Sequence, residues 1–276
     1  MKPYLLFFVS LLYFNTLCAQ QQPEQQSTAG KNVKTYTLYS PEYDFSKRIW
    51  VYLPEEYGKK SRKHYPVIYM ADGQNIFDAK TSFSGEWRVD ETLDSLQAKV
   101  IIVAVEHGGD DRLNELTPYK NAQYGGGGVD KYLDFIMYTL KPHVDKVYRT
   151  KPEKEYTGIF GSSLGGLMAY YTIISYPDTF GMAGVFSPAF WINPEVFDLN
   201  QYADTINAKV YFMAGDAESK DMVPDMQRMV KLATDKARVP DLIKSKVVPG
   251  GQHNEKLWAH EFAEAILWLT SEKELK

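Results

Sequence analysis

Apolar and polar positions along the chain follow two periods. The runs "KTYTLYS", "RIWVYLP", "YPVIYMA", "VIIVAVE", "EYTGIF", "MAGVFS", "KVYFMAG" and "IKSKVVPG" are short and rich in β-branched and aromatic residues, and predict strands. Between the later ones lie "WRVDETLDSLQAK", "VDKYLDFIMYTLKPHVDKVY", "LGGLMAYYTIISY", "MVPDMQRMVKLATDKA" and "EKLWAHEFAEAILWL", whose apolar residues recur at helical spacing. Strands alternating with helices imply an α/β domain, its mostly parallel sheet covered on both faces. The opening β-runs have no helix between them, which predicts antiparallel strands at one edge. No internal repeat or linker divides the chain, so residues 33–272 are expected to form one domain. Reactive groups in such sheets gather at the carboxyl ends of the strands. The segments to inspect are therefore "DGQNIFD", "HGGDDRLNEL", "GSSLGG", "SPAFWIN", "GDAES" and "GGQHNEK".

The segment "TGIFGSSLGGLMAYYTIISYP" places adjacent serines among glycines, between a strand-like and a helix-like run. Gly161-Ser162-Ser163-Leu164-Gly165 matches G-x-S-x-G, the strained strand-to-helix turn that exposes a nucleophilic serine in α/β-hydrolases. The pattern selects Ser163 over Ser162. The Leu164 N–H, at the start of the following helix, can then face a developing oxyanion. Alone the pattern is a weak signal, because a glycine-rich packing turn can match it by chance. The flanking strand and helix supply the context that gives it meaning.

A serine hydroxyl needs a base, and the chain order of this fold places an acid and then a histidine after the serine. Of the five histidines, His64 and His143 read as surface positions, and His260 falls inside the last helix. His107 ends a strand but precedes the serine. His253 follows "KSKVVPGGQ" and precedes the last helix, where this order wants the base. The acid comes from "YFMAGDAESKDM", where Asp216 and Glu218 both lie just past a strand end. Spacing alone does not separate them.

Composition narrows the setting. The chain has 276 residues, of which 44% are hydrophobic and 24% charged, and a net charge of −4. Its basic residues are dispersed, which argues against a nucleic-acid partner. The start, "MKPYLLFFVSLLYFNTLCAQ", has the layout of a secretory signal peptide over residues 1–19, cut near Ala19. Its apolar run is short for a membrane span, and Asn15 interrupts it, so no stable membrane insertion is expected after cleavage. Cys18 allows a lipoprotein, but Leu17 is a poor residue before a lipidated cysteine. The expected location is periplasmic or secreted. Cleavage removes the single cysteine, leaving no disulfide and no thiol chemistry. Residues 20–32, "QQQPEQQSTAGKN", are polar and aperiodic and predict a disordered leader. "YGGGGVDKY" lacks the lysine and Ser/Thr of a phosphate loop and reads as a flexible lead-in to a helix. No histidine cluster has metal spacing, so neither a metal nor a cofactor is implied.

Together these residues resemble the putative-esterase (esterase D-like) family of α/β-hydrolases. That family includes feruloyl and acetylxylan esterases, siderophore esterases and mycolyltransferases. The resemblance covers residues 35–269 and rests on "VIYMADGQNIFD", "GEWRVDETLD", "RLNELTP", "GSSLGGL", "SPAFWIN", "AGDAES" and "GGQHNEKLW". It implies an α/β-hydrolase fold and a serine carboxylic-ester hydrolase. It also implies that the acid is the glutamate of a G-x-x-E turn, Glu218, with Asp216 as the alternative. The second oxyanion donor it implies is the Gln74 backbone N–H, after Asp-Gly. No cap or carbohydrate-binding module is visible, so the substrate does not carry over.

Trp87 and Trp191 fall beside cleft loops and are candidates for a platform under an aromatic acyl group or sugar ring. Core packing is the competing role for both. Arg112 and Glu115 follow a strand end, where a loop salt bridge is expected before a substrate-carboxylate site. The expected partner is a small-molecule or oligosaccharide ester. Carbohydrate esters, acetyl or feruloyl, lead, and enterobactin-like siderophore lactones come second. Acyl transfer and a non-catalytic binding protein on the same fold are the remaining readings. An intact Ser/acid/His set argues against the last.

Overall fold

The computed structural model describes residues 26–59, 62–203 and 205–271. The expected signal peptide over 1–19 lies outside them. A sheet of eight strands runs in the order β1-β2-β4-β3-β5-β6-β7-β8. Its strands are β1 (Val33–Ser40), β2 (Phe45–Tyr52), β3 (Val67–Met70), β4 (Ile101–Val105), β5 (Thr157–Ser162), β6 (Met182–Phe186), β7 (Lys209–Gly215) and β8 (Ile243–Val248). β1 pairs antiparallel with β2, and β2 antiparallel with β4. From β4 through β3 to β8 every pairing is parallel. This is the mostly parallel sheet that the alternation predicts, with its antiparallel pairings at one edge, and the α/β-hydrolase fold that the resemblance implies.

The central strands are apolar along their whole length because both faces are covered. In β4, Ile101, Val103 and Val105 enter one core cluster, while Ile102 and Ala104 enter the other. The first cluster packs against α5 (Leu164–Ser175) and α7 (Met222–Lys236) through Leu167, Met168, Met226 and Met229. The second packs against α1 (Val89–Leu96) and α8 (Glu255–Leu269) through Val89, Leu93, Trp258 and Phe262.

The helix expected from Val129 onward has three parts. α3 (Val129–Asp134) passes into a π-helical segment, Phe135–Leu140, and then into α4 (Lys141–Val147). Pro142, in the first turn of α4, has no N–H to donate and crowds the preceding turn, which accounts for the wider winding before it. The short helices α2 (Arg112–Leu116) and α6 (Val196–Tyr202) fall in stretches to which the sequence pattern assigns no helix. Neither is long enough to show a hydrophobic period.

Residues 26–32 differ from the disordered leader expected over 20–32. Ser27 Oγ donates to Asp78 Oδ2 (2.6 Å), and the Thr28 hydroxyl donates to Glu86 (3.0 Å). The Gly30 N–H donates to Asp90 Oδ2 (2.6 Å). The polar residues that look unstructured in isolation meet carboxylates on distant segments. The glycine run also differs from a flexible lead-in. Gly125, Gly126 and Gly127 all have positive φ, and a Cβ at Gly126 would lie 2.2 Å from Thr117 Oγ1. The run is a close-packed turn.

Candidate active site

Adjacent parallel strands end together, and their loops supply the site. Phe160 of β5 pairs with Met70 of β3, and Ser162 with Phe186 of β6. Gly215, which ends β7, pairs with Val248, which ends β8. The loops after these strands carry Gln74, Ser163, Glu218 and His253.

Ser163 sits between β5 and α5 at φ 57°, ψ −118°, a strained conformation for a residue with a side chain. A Cβ at Gly161 would lie 2.6 Å from the Gly165 carbonyl carbon, and one at Gly166 would lie 2.6 Å from the Phe186 oxygen. The glycines therefore let the turn close against the helix and the next strand. The Ser163 N–H donates to the Phe186 carbonyl (3.0 Å), and its own carbonyl accepts from the Ala189 N–H (3.0 Å). Ser162, its neighbour, is buried at the end of β5.

Leu164 is the first residue of α5, and Gln74 lies in a 3-10 turn, Gly73–Asn75. First-turn N–H groups have no intrahelical acceptor, and α5 adds the positive end of its dipole. Gln74 is presented from the end of β3 by Asp72, which adopts the left-handed conformation (φ 59°, ψ 43°). A two-pronged ion pair holds Asp72: Arg112 Nε meets Oδ1 at 2.6 Å, and its terminal nitrogen meets Oδ2 at 2.7 Å. The His107 imidazole lies 4.0 Å from Asp72, and burial pushes it below its ordinary value. Burial, with the Asp72 charge adding to it, raises the Glu255 carboxyl.

Glu115, the acid of "RLNELTP", is fully buried and paired with the buried Lys47. It also accepts from the Gly108 N–H (2.9 Å). Both charged residues of that motif thus form internal salt bridges. Lys47→Met leaves the Glu115 carboxylate buried without its cation. Urea unfolding is expected to show a loss of about 3–5 kcal/mol; an unchanged midpoint would contradict the pairing.

The two candidate acids are separated by their partners. Glu218 Oε2 lies 2.6 Å from His253 Nδ1, and the Glu218 side chain is 1% exposed. Its Oε1 accepts from the Gly215 N–H (2.6 Å) and from the Ser187 hydroxyl (2.7 Å). Asp216 Oδ1 instead accepts from the Gly250 N–H (2.7 Å), joining the loops after β7 and β8. The His253 ring packs edge-on against Trp258, with centroids 5.1 Å apart. An ionised Glu218 can only accept, so His253 carries its proton on Nδ1, leaving Nε2 as the basic nitrogen.

The two tryptophans part company. Trp87 is 3% exposed and lies among Phe160, Phe186, Trp258 and Phe262. It is a core residue and forms no exposed platform. Trp191 is 56% exposed and meets Tyr124 edge-on at 5.8 Å. It lies in a turn, Phe190–Ile192, that begins beside the Ala189–Ser163 hydrogen bond. Sequence reasoning missed Tyr124, Ser187 and Trp258. Ser187 had one available signal, its place directly after the β6 run.

Among the described residues, Glu86, Asp90 and Glu91 bring carboxylate oxygens within 4.8 Å of one another. They lie near the start of α1 and share no residue with the Ser163 turn.

Known proteins place the chain. It is 25% identical over 246 residues to the uncharacterized protein YbbA of Bacillus subtilis, covering 81% of this chain and 92% of that one. It is 26% identical over 175 residues to an endo-1,4-beta-xylanase/feruloyl esterase of Xylanibacter ruminicola, covering 60% of this chain but only 23% of the relative. The crystal structure of the enterobactin esterase FES from Shigella flexneri superposes with a TM-score of 0.71 at 17% identity. That match covers 90% of this chain and 60% of FES, and it shows a shared fold. Residues 40–269 match the family described as "Putative esterase", and the chain belongs to that family as a carboxylic ester hydrolase.

Proposed function

We propose that the protein is an exported serine esterase that deacylates carbohydrate esters carrying acetyl or feruloyl groups. The observation that carries the chemistry is the 2.6 Å contact between Glu218 and His253 Nδ1, on loops that follow strands of the same parallel sheet as the strained turn that bears Ser163. Ser163 Oγ attacks the ester carbonyl as His253 Nε2 takes its proton. The Leu164 and Gln74 N–H groups receive the oxyanion. His253 then protonates the leaving alcohol, and water resolves the acyl-enzyme by the reverse sequence. Glu218 holds the tautomer and stabilises the imidazolium.

The exposed Trp191–Tyr124 pair supports a substrate with a flat apolar face, an aromatic acyl group or a sugar ring. The similarity to the xylanase/feruloyl esterase points the same way. The second reading, a siderophore ester, is favoured by the fold shared with enterobactin esterase FES. A ferric catecholate is strongly anionic, whereas Arg112 and Lys47 are already held by Asp72 and Glu115. That favours the carbohydrate reading.

A substrate panel tests it: acetylated xylo-oligosaccharide, methyl ferulate, ferric and iron-free enterobactin, and nitrophenyl acetate. The expected ranking in kcat/KM puts the feruloyl or acetylated oligosaccharide substrates first, because remote contacts act in the transition state. Turnover of nitrophenyl acetate alone would overturn the carbohydrate reading, and preference for enterobactin would install the second one. An added alcohol acceptor distinguishes acyl transfer by its products. Trp191→Ala is expected to raise KM for methyl ferulate by about 10-fold, the scale of one aromatic contact, with a smaller effect on nitrophenyl acetate. Equal effects on both substrates would contradict a platform role. Export predicts that N-terminal sequencing of the mature protein begins at Gln20.

A further inference from the structure

Ser187 follows the last residue of β6 and is completely buried, yet it adopts φ 42°, a left-handed conformation unusual for a residue with a side chain. Its N–H is fixed by the Met213 carbonyl of β7 at 2.6 Å. The side chain stands between two groups with opposite needs. Trp258 Nε1 donates to Ser187 Oγ (2.8 Å), and Oγ lies 2.7 Å from Glu218 Oε1. An indole N–H can only donate, so the serine's single proton is committed to the carboxylate.

A closed circuit results. Trp258 donates to Ser187, Ser187 donates to Glu218, and Glu218 accepts from His253 Nδ1. The Trp258 ring in turn rests edge-on against the His253 imidazole. Two donors, the Ser187 hydroxyl and the Gly215 N–H, occupy Oε1. The carboxylate cannot rotate without breaking both, so Oε2 stays aimed at the imidazole. A hydroxyl that only satisfied the buried indole N–H would have no need to face the acid.

We infer that Ser187 is a positioning residue for the triad acid, setting the orientation of Glu218 and through it that of His253. The inference rests on the Ser163–His253–Glu218 reading and adds a fourth member to it. Loss of this hydroxyl removes one hydrogen bond to a charged group and leaves Oε1 held by Gly215 alone.

The test compares Ser187→Ala and Ser187→Gly with the wild type, using an aryl ester. Glycine tolerates φ 42° without strain, so it keeps the backbone while removing the hydroxyl if the alanine variant fails to fold. Both variants are expected to lose roughly 10- to 100-fold in kcat, the scale of a hydrogen bond to a charged group, with KM unchanged. Proton NMR gives a readout that mere structural support would leave alone. The downfield His253 Nδ1 proton of the wild type, assigned by its loss in His253→Ala, should move and broaden in the Ser187 variants.

Folded variants with wild-type kcat and an unmoved resonance would overturn the inference, even if their thermal stability fell. Wild-type labelling by a fluorophosphonate at Ser163 keeps the two questions apart. Labelled wild type with unaffected Ser187 variants sinks only the positioning role. Unlabelled wild type removes the triad reading and this inference with it.

Discussion

Ser163→Ala is expected to lower kcat for a short-chain aryl ester by about 10^4–10^6, the range found when a triad nucleophile or base is removed. Ser162→Ala should leave the rate within a few-fold. The contrast is sharp because the two serines are neighbours with opposite settings. Ser162 is buried at the end of β5, whereas Ser163 occupies the strained residue between strand and helix. Ser163 is the residue immediately before α5, next to Leu164. His253→Ala should match Ser163→Ala in size, since attack and proton transfer form one step. His260 lies on α8 with its ring at Glu261, so His260→Ala should be mild. Equal losses from both serine variants would dissolve the assignment of the turn.

Glu218→Gln should cost on the order of 10^4 in kcat, because an amide at that position no longer holds the imidazole in its productive tautomer. Asp216→Asn should cost far less. The glutamine keeps the shape of the side chain, so stability should change less than activity. Oε1 accepts from Gly215 and Ser187, and the amide oxygen can retain that place. Its NH2 group would then face His253 Nδ1, donor against donor, and drive the ring to the other tautomer. The reverse ranking of the two variants would move the acid to Asp216 and break the link to Ser187.

The strands and the serine turn were legible because both are local. β-branched runs mark buried strands, and the G-x-S-x-G spacing reflects a collision between residues close in sequence. The choice between Asp216 and Glu218 was not local. Both follow β7 on one turn, and only the loop carrying Gly250 and His253, supplied from after β8, tells them apart.

Trp87 and Trp191 pose the same difficulty. Each is an aromatic residue in a connecting segment, and α8 decides the first by bringing Trp258 and Phe262 against it. The strap at residues 26–32 was illegible because its partners, Asp78, Glu86 and Asp90, lie far along the chain. Ser187 was hidden for a related reason. Its role depends on an indole from α8 and a carboxylate from the loop after β7.

The most direct measurement of the central claim is the site of covalent modification by a fluorophosphonate, read by intact mass and peptide mapping. A serine hydroxyl reacts with such a probe only when a base activates it and an oxyanion site stabilises the adduct. The expected result is one adduct per chain, on the peptide containing Ser163, abolished by Ser163→Ala and slowed by orders of magnitude by His253→Ala. An adduct on another residue, or no adduct on a folded protein, would contradict the assignment of Ser163 as the nucleophile.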